Sequence, residues 1–498
     1  MSEQLVISVD CSTTAAKAIV WDTSGRQLSE GRQEIPLSIP NEGWGEQDPK
    51  AWWTATSAAI TAAVKGVDAT KIKALVLTHQ RESFACLDEN DEPLRPAMLW
   101  LDTRAHDQVK RFGTSRIHTL TGKPANPTPA FYKLLWIRDN EPAVFAKISR
   151  VADVHAYLSL QLTGMFATST ASADPLGVVD LESIDYSPEI LRTLQLSDDA
   201  FPELCAPGAV IATLIPEVSK ALGLPLELPL ISGGGDGQCA GLGAGVAAPG
   251  TGYLNLGTGL IAGIYSDDYK PSFAYRAMSG TVPASYNYEF FVGAGTYLVN
   301  WFKTHISQPE NYMGGAPEQY WESKALEVPI GSEGLFTLPY WNGALTPYWD
   351  QNARGSIVGF SGIHGNEHLY RSILEGIAFE LRLCIETASA TIRQPVERFI
   401  TMGGGSKSAL WCQILADNLR IPIAIARSQE ATALGAAMLG FAALGVYESI
   451  PDASAKMSGF SQEFLPNPDN AARYDRYFEV YKSLYPALKS TFSAIQEL

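Results

Sequence analysis

The sequence predicts an α/β protein of two large domains with a central cleft between them. Its 498 residues are too many for one ordinary domain, and chains of this length commonly fold as two large units. A strand, a polar turn and a second strand are indicated at residues 5–22, and the same pattern returns at residues 253–268. Two such hairpins, roughly half the chain apart, predict two related halves that face each other.

The composition is typical of a well-packed globular protein and excludes several classes of partner. Hydrophobic residues make up 46% of the chain and charged residues 18%, without a low-complexity run. The 37 Lys and Arg residues stand against 53 Asp and Glu residues, for a formal charge of −16, and form no basic cluster. We therefore expect neither nucleic acid nor a membrane surface as a partner. The least polar run, residues 433–447, is shorter than the ~20 residues of a membrane span and predicts a buried helix.

The compartment is predicted from the start of the chain and from the cysteines. Residues 1–11 show no basic stretch followed by a long apolar core, so we expect no secretion signal. The cysteines are scattered without paired spacing, which favours reduced thiols in the cytoplasm and argues against a zinc site. They are Cys11, Cys86, Cys205, Cys239, Cys384 and Cys412.

The first hairpin carries an acid and a polar turn where two strands meet. An apolar strand over residues 5–9 stops at Asp10, the turn spans residues 11–14, and a second strand covers residues 17–21. Backbone N–H groups and Thr hydroxyls in such a turn can hold phosphate oxygens, and Asp10 can hold a hydrated Mg²⁺. An ordinary solvated hairpin is the alternative.

Two further elements of the first half bear on a polar ligand. Asp48 predicts the N-cap of an amphipathic helix over residues 51–64. An apolar strand over residues 72–77 runs toward the adjacent residues Arg81 and Glu82. A guanidinium group beside a carboxylate suits the vicinal hydroxyls of a polyol or sugar, and a surface ion pair is the alternative.

One carboxylate stands between two glycine-rich segments in the middle of the chain. A short apolar run, residues 228–231, is followed by a predicted glycine turn at residues 233–235 and then by Asp236. A second apolar strand, residues 253–256, ends in the glycine-rich turn 257–259. Glycines let a backbone approach a ligand closely, which makes Asp236 a candidate functional acid. The alternative is a buried helix with tight turns at both ends.

The second half contains a strand, a triple glycine and a helix in succession. The strand covers residues 399–402, the glycines are followed by Ser406, and the helix spans residues 409–419. This arrangement can seat a nucleotide base or ribose against bare backbone, with the helix N-terminus facing the phosphates. It lacks the Gly-Lys-Ser/Thr end of a Walker A loop and the spaced glycines of a dinucleotide fingerprint. A strand over residues 421–425 and Glu430, before a small-residue helix, complete an α/β layer.

In this order the motifs resemble the FGGY family of carbohydrate kinases, and the resemblance covers essentially the whole chain. It implies a two-domain fold similar to that of the actin and hexokinase ATPases, which is ribonuclease H-like, with a central interdomain cleft. It also implies a sugar-binding domain at residues 1–246 and a nucleotide-binding domain at residues 247–498, with ATP and Mg²⁺ as cofactors and a homodimer as the assembly. The motifs that carry the resemblance are residues 10–14, 43–49, 257–259 and 403–408.

The resemblance also implies roles for individual residues. Asp236 would be the catalytic base that takes the proton of the acceptor hydroxyl, a step that phosphoryl transfer to an alcohol requires. The sugar contacts would be Gln80, Arg81, Glu82, Asp236 and Gln238. The metal would lie on Asp10, the phosphates near Thr13, Thr14, Lys17, Gly257 and Thr258, and the adenosine near Gly403, Gly404, Gly405 and Lys407.

Residues 80–83 and the residue after Asp236 resemble different groups of FGGY kinases. Xylulokinases, which resemble the chain overall, usually show Gln-Met-His-Gly where this chain has residues 80–83. Arg81 and Glu82 resemble glycerol kinases instead, although these place Gln directly after the catalytic acid, where Gly237 stands here. We expect a ketopentose such as D-xylulose, phosphorylated at a primary hydroxyl, with glycerol or another polyol or open-chain sugar as the alternative. A second alternative is a non-catalytic actin-like ATPase or sugar-binding regulator, but a binder needs no base at Asp236.

Overall fold

The computed structural model describes residues 4–307, 317–392 and 395–497. These residues fold around two mixed β-sheets with helices on both faces, as predicted for an α/β protein. In the first half the strands are β1 (Leu5–Cys11), β2 (Ala15–Trp21), β3 (Gln27–Glu34), β4 (Glu46–Gln47), β5 (Ile72–His79), β6 (Phe84–Leu87), β7 (Ala97–Met98), β8 (Arg150–Asp153), β9 (Ala167–Ser169), β10 (Val179–Asp180), β11 (Asp185–Tyr186), β12 (Glu203–Cys205), β13 (Val210–Thr213) and β14 (Pro229–Gly235). The helices there are α1 (Pro49–Val64), α2 (His106–Phe112), α3 (Ser115–Thr121), α4 (Ala130–Asn140), α5 (Pro142–Phe145), α6 (Val154–Thr163), α7 (Thr170–Ala173), α8 (Pro188–Leu194), α9 (Pro216–Leu222) and α10 (Asp236–Gly243).

The second half continues with a larger sheet and longer helices. Its strands are β15 (Thr251–Leu256), β16 (Leu260–Ser266), β17 (Arg276–Ser279), β18 (Tyr286–Val292), β19 (Phe336–Leu338), β20 (Ser356–Val358), β21 (Arg398–Met402), β22 (Ile423–Ala426) and β23 (Phe460–Phe464). Its helices are α11 (Thr296–His305), α12 (Pro317–Glu327), α13 (Asn366–Ser389), α14 (Ala409–Leu419), α15 (Ala431–Ala443), α16 (Ile450–Met457) and α17 (Pro468–Gln496).

The two sheets repeat one design. The first has the strand order β13-β14-β5-β1-β2-β3, and the second has the order β17-β18-β16-β15-β21-β22-β23. Each sheet contains an antiparallel meander, β1-β2-β3 in the first and β15-β16-β18 in the second. The first strand of each meander also pairs in parallel with a further strand, β5 or β21, which pairs in parallel with the next strand, β14 or β22. An antiparallel edge strand, β13 or β23, completes that side. The two related halves predicted from the repeated hairpin are therefore confirmed.

Local sequence explains how the first sheet is packed. Along β1, Ile7 and Val9 belong to the same buried cluster as Trp52 of α1. Val6 points to the other face and joins a cluster with Leu434 of α15. This alternation is that of a central strand covered on both faces. The N-cap of α1 is Asp48, as predicted, and its side chain accepts a hydrogen bond from the Lys50 N–H group.

Helix α15 of the second half crosses helix α10 of the first half in backbone contact. A Cβ atom on Gly243 would lie 1.9 Å from the carbonyl oxygen of Ala431, and one on Gly435 would lie 2.0 Å from that of Cys239. Only glycine allows two helices to approach so closely. The small-residue helix predicted from the sequence therefore joins the two halves.

The glycine turn predicted at residues 233–235 is wrong. These glycines are the last residues of β14, and Asp236 opens α10 directly after them. A Cβ atom on Gly233 would lie 1.7 Å from the carbonyl oxygen of Leu77, and one on Gly235 would lie 2.4 Å from Cγ of Arg81. The glycines thus serve close packing of β14 against its neighbours and not a change of chain direction.

The cysteines are reduced, and most of them are buried. All six cysteines are free thiols. Burial raises the pKa of Cys11, Cys86, Cys239 and Cys412 to about 12, so these thiols stay protonated at neutral pH. Within the part of the chain that the structure describes, no helix is long and apolar enough to cross a membrane.

Candidate active site

Parallel strands of the first sheet end side by side and present the candidate site residues. β5 pairs in parallel with β1 on one side and with β14 on the other. This register brings Asp10, Arg81 and Asp236 to one edge of the sheet from three distant parts of the chain. Open α/β sheets bind ligands at the carboxyl ends of their strands. The carboxyl ends of β1, β5 and β14 therefore form the candidate active site.

Asp236, the first residue of α10, opens onto a cavity with its side chain 41% exposed. Its Oδ1 atom accepts a hydrogen bond from the Gly237 N–H group at 2.7 Å and lies 3.1 Å from Arg81 Nε. Protein surrounds the carboxylate on its other sides, and this burial raises its pKa against the opposing charge of Arg81, while the Glu82 charge adds to the rise. A carboxylate with a raised pKa that faces open space is suited to accept a proton.

Arg81 and Glu82 are both buried, and each takes a different partner. They are only 6% and 5% exposed, so the alternative of a surface ion pair is wrong. Arg81 Nη1 donates to both carboxylate oxygens of Glu289 at 2.8 and 2.9 Å, whereas Glu82 accepts a hydrogen bond from Arg276 Nη1. Glu82 also has a left-handed φ of 59°. Such strain in a non-glycine residue is common where a site holds a side chain in a required direction.

Glu289 ties the two arginines together, and the sequence does not mark it. It accepts hydrogen bonds from Arg81, from Arg276 Nη2 at 2.9 Å and from the Tyr253 hydroxyl at 2.6 Å. Although burial favours the neutral acid, the two guanidinium groups lower the pKa of Glu289 to about 2. Arg276 and Glu289 are opposite each other on β17 and β18. The only signal in the sequence is one charged residue in each of two otherwise uncharged strands.

A cavity of about 220 Å³ lies over Asp236 and is lined by both halves of the chain. Its charged wall combines Arg81, Glu82 and Asp236 of the first half with Arg276 of the second. A few polar groups among apolar walls are typical of a site for a small ligand. The remaining lining residues are Trp100, Asn126, Thr128, Ile261, Phe291, Leu345 and Trp349.

The amides of Gln80 and Gln238, which the resemblance assigns to sugar contact, lie behind this wall. Their exposed fractions are 1% and 0%. Gln80 accepts a hydrogen bond from the Thr13 hydroxyl at 3.1 Å and donates to Gln47 Oε1 at 3.1 Å. Gln238 donates to the carbonyl oxygen of Ala171 at 2.8 Å. In this arrangement the two amides hold the cavity walls and do not face the cavity.

Asp10 has the environment of a cation ligand. Its Oδ1 atom is buried and has no hydrogen-bond partner among the described residues. Burial raises the pKa of Asp10 to about 8, the Asp236 and Glu430 charges add to the rise, and Lys17 opposes it. A divalent cation would supply the charge that this carboxylate lacks. No group of three His, Cys, Asp or Glu side chains is arranged for a metal among the residues that the structure describes.

The turn between β1 and β2 lies beside this acid. Lys17 is directly opposite Asp10 in the strand register, and its Nζ atom lies 2.8 Å from Glu430 Oε1. Thr13 is partly exposed at the turn and Thr14 is exposed. The ion pair between Lys17 and Glu430 joins the two halves, so the hairpin is part of the cleft and not an ordinary solvated hairpin.

A second cavity, of about 480 Å³, lies at the glycine segment of the second half. A Cβ atom on Gly404 would meet no atom within 4 Å, so its backbone is bare toward this space. Gly403 has a φ of +84°, and a Cβ atom there would lie 2.6 Å from Asn255 Oδ1, so only glycine fits the bend. The cavity is lined by Gly404, Gly405, Lys407, Ser408, Trp411, Thr296, Val299, Asn300, Lys303, Glu318, Gln319, Glu322 and Tyr370.

The turn at residues 257–259 lies at the same edge of the second sheet as the glycine segment. β15 and β21 pair in parallel, with Asn255 opposite Met402, so the segments that follow them are neighbours. The carbonyl oxygen of Gly257 accepts a hydrogen bond from the Thr296 N–H group at 2.8 Å. Two segments predicted separately from the sequence are thus brought together at one edge.

Family models match both halves of the chain. Residues 5–243 match the N-terminal domain of the FGGY family of carbohydrate kinases, and residues 252–444 match its C-terminal domain. The chain belongs to the FGGY family of carbohydrate kinases. This FGGY kinase is therefore a sugar phosphotransferase with the two-domain actin- and hexokinase-like fold that the sequence resemblance implies.

Named relatives are similar to this FGGY kinase over nearly its full length. A xylulose kinase of Lactococcus lactis subsp. lactis is 29% identical over 491 residues, which cover 96% of each chain. A ligand-bound xylulose kinase structure from Lactobacillus acidophilus is 27% identical with a TM-score of 0.93, covering 99% of this chain and 100% of that one. A gluconate kinase structure from the same organism is 28% identical with a TM-score of 0.92 and the same coverage.

Proposed function

We propose that this FGGY kinase transfers the γ-phosphoryl group of ATP to a primary hydroxyl of a ketopentose, D-xylulose. The observation that carries the proposal is the cavity over Asp236, where one carboxylate with a raised pKa lies beside buried arginines and opens to a space of sugar size. Full-length similarity to xylulose kinases supports the choice of sugar. Arg81 and Glu82, which resemble glycerol kinases, support glycerol or another polyol as the second candidate.

Asp236 is assigned as the general base. Both of its contacts, with Gly237 N–H and Arg81 Nε, are made by Oδ1. We therefore assign Oδ2 to the acceptor hydroxyl, whose proton it takes as the hydroxyl oxygen attacks phosphorus. Arg81 holds the base in place, and its positive charge opposes the rise in the pKa of Asp236 that burial causes.

Asp10 is assigned to the metal, since its buried Oδ1 atom has no hydrogen-bond partner among the described residues and lies near the carboxyl end of β1. When bound, Mg²⁺ would neutralise charge on the phosphate oxygens of ATP. Lys17 lies opposite Asp10 and can reach the same phosphates if it exchanges its ion pair with Glu430. The phosphate side is completed by Thr13, Thr14, Gly257 and Thr258.

The second cavity is assigned to the nucleoside. Bare backbone at Gly404 allows a flat ring to approach closely, and the ring of Trp411 adds an apolar wall. We assign sugar binding mainly to residues 1–246 and nucleotide binding to residues 247–498. The adenosine contacts would come from Gly403, Gly404, Gly405 and Lys407.

The cysteines indicate the cellular compartment of the enzyme. Free thiols, most of them buried, support a cytoplasmic enzyme that uses ATP and Mg²⁺. A homodimer stays a prediction of the family resemblance. A purely sugar-binding role has less support, because it does not require a proton-accepting carboxylate in the sugar cavity.

Acceptor-dependent release of ADP from MgATP tests the proposal. The panel contains D-xylulose, other pentuloses, glycerol, erythritol and gluconate. We expect kcat/KM with D-xylulose to exceed that with glycerol by at least ~10-fold, which equals about 1.4 kcal/mol of transition-state binding. Fastest release with glycerol or erythritol would support the polyol alternative, and release without any acceptor would support the ATPase.

A further inference from the structure

The arginines that line the sugar cavity already have their charges matched by carboxylates. Arg81 contacts Glu289 and Asp236, and Arg276 contacts Glu82 and Glu289. The guanidinium group of Arg276 also lies 4.5 Å from the centre of the Phe291 ring. With Asp236 ionised, these two cations stand against three carboxylates. The charged wall of the cavity therefore carries no uncompensated positive charge.

Glu289 is the carboxylate that both arginines share. It is fully buried and does not line the cavity. Arg81 Nη1 reaches both of its oxygens, Arg276 Nη2 reaches Oε2, and the Tyr253 hydroxyl donates to Oε1. With these donors Glu289 stays ionised throughout the physiological pH range. Its charge is therefore a fixed part of the site.

We propose that Glu289 is a specificity-determining positioning residue that makes the cavity select uncharged sugars over sugar acids of the same size. Glu289 accepts hydrogen bonds from Arg81 and Arg276, and these bonds hold both guanidinium groups in fixed orientations. Its negative charge also compensates their positive charge. This inference rests on the proposed function, because it concerns the substrate class of the same cavity.

The physical reason is the difference between a hydroxyl and a carboxylate at this wall. A sugar hydroxyl both donates and accepts, so it can bond a guanidinium N–H group and a carboxylate oxygen of the wall together. A carboxylate only accepts, and it would meet the like charges of Glu82 and Asp236, while the cations of the described lining, Arg81 and Arg276, are already paired. Removal of the Glu289 charge alone would make the net charge around the cavity more positive by one elementary charge, which favours an anionic ligand.

Binding measured without nucleotide tests the proposal. Isothermal titration calorimetry compares D-xylulose with D-xylonate, which has the same number of carbons and a carboxylate, in the wild type and in Glu289→Gln. We expect the wild type to bind D-xylulose at least ~30-fold more tightly, and the variant to reduce this ratio by at least ~10-fold. D-xylonate gains affinity because one repelling charge is lost, and D-xylulose loses affinity because Arg81 and Arg276 are held less firmly.

A matched control is Glu463→Gln on the edge strand β23. Glu463 pairs with Arg398 at 2.6 Å, and neither residue lines the sugar cavity. The same change of charge there should leave both dissociation constants unaltered. A purely structural role for Glu289 would lower the fraction of active protein and leave the ratio of the two dissociation constants unchanged.

The outcomes separate this inference from the proposed function. A folded Glu289→Gln protein with an unchanged ratio, or a wild type that prefers D-xylonate, overturns the role of Glu289. A wild type that binds neither D-xylulose nor any other uncharged acceptor of the panel overturns the proposed function instead. If Glu289→Gln does not fold, Tyr253→Phe removes one donor to Oε1. It should lower the ratio by about 3-fold, and no change there also contradicts the proposal.

Discussion

The Asp236→Asn variant is expected to lose about 10²- to 10⁴-fold in kcat and to bind the sugar within about 3-fold of the wild type. The amide keeps the size of the side chain and can still accept from Gly237 N–H and Arg81 Nε through its oxygen. It cannot take a proton from the acceptor hydroxyl. Steady-state kinetics with D-xylulose and MgATP give kcat, and calorimetry without nucleotide gives the dissociation constant.

The matched control is Asp185→Asn, which makes the same chemical change at an exposed carboxylate on β11. Its kinetic constants should equal those of the wild type. A wild-type kcat in Asp236→Asn would contradict the assignment of the base. A loss of sugar binding that equals the loss of kcat would show that Asp236 binds the substrate but does not take its proton.

The Asp10→Asn variant is expected to be more stable than the wild type without metal and nearly inactive with it. A buried acid whose pKa is raised to about 8 favours unfolding at neutral pH, because the unfolded chain ionises it freely. Asparagine removes this penalty, so the free energy of unfolding at pH 7 should rise by about 1–4 kcal/mol. Loss of the ligand for Mg²⁺ should lower kcat by about 10²-fold or more. Urea unfolding in EDTA gives the stability, and kinetics over a range of Mg²⁺ concentrations give the activity.

The pH dependence gives this prediction a sign. The wild-type carboxyl is neutral in both states below pH 3.8, and its penalty grows as the pH rises toward 8. The stability gain of Asp10→Asn should therefore be near zero at pH 4 and largest at and above pH 8. Asp22→Asn is the control on the same hairpin, because Ser24 and Arg26 donate to Asp22 and lower its pKa despite partial burial. Asp22→Asn should lose stability and keep its activity. A destabilised Asp10→Asn would contradict the stability cost that we assign to the buried Asp10 carboxyl.

Patterns local to the sequence predicted an α/β protein of two related halves and the acids near the strand ends, and the family resemblance added the fold type. Asp10 lies near the end of β1, and Asp236 directly follows β14. Both positions are predicted from an apolar run and the acid that comes after it. The repeated hairpin correctly predicted two halves of one design. Such signals depend on a few neighbouring residues, so they survive in a single sequence.

The partners of the site residues could not be read in the same way. Arg81 and Glu289 are 208 positions apart, and their contact exists only because β18 of the second half approaches β5 of the first. The glycines at residues 233–235 were misread because close packing and tight turns both call for glycine. Gln80 and Gln238 show the same limit, since the family resemblance implies sugar contact for both and no local pattern predicts that their side chains are buried.

The destination of the transferred phosphoryl group is the most direct measurement of the proposed reaction. Enzyme in excess over [γ-³²P]ATP is mixed with Mg²⁺ and D-xylulose, quenched in acid over one turnover, and its products are separated. If a sugar hydroxyl beside Asp236 accepts the γ-phosphoryl group, nearly all the label from the wild type will appear in a sugar phosphate ester. With Asp236→Asn the label will remain in ATP. Label that appears only as inorganic phosphate, at the same rate with and without sugar, would contradict the proposed reaction.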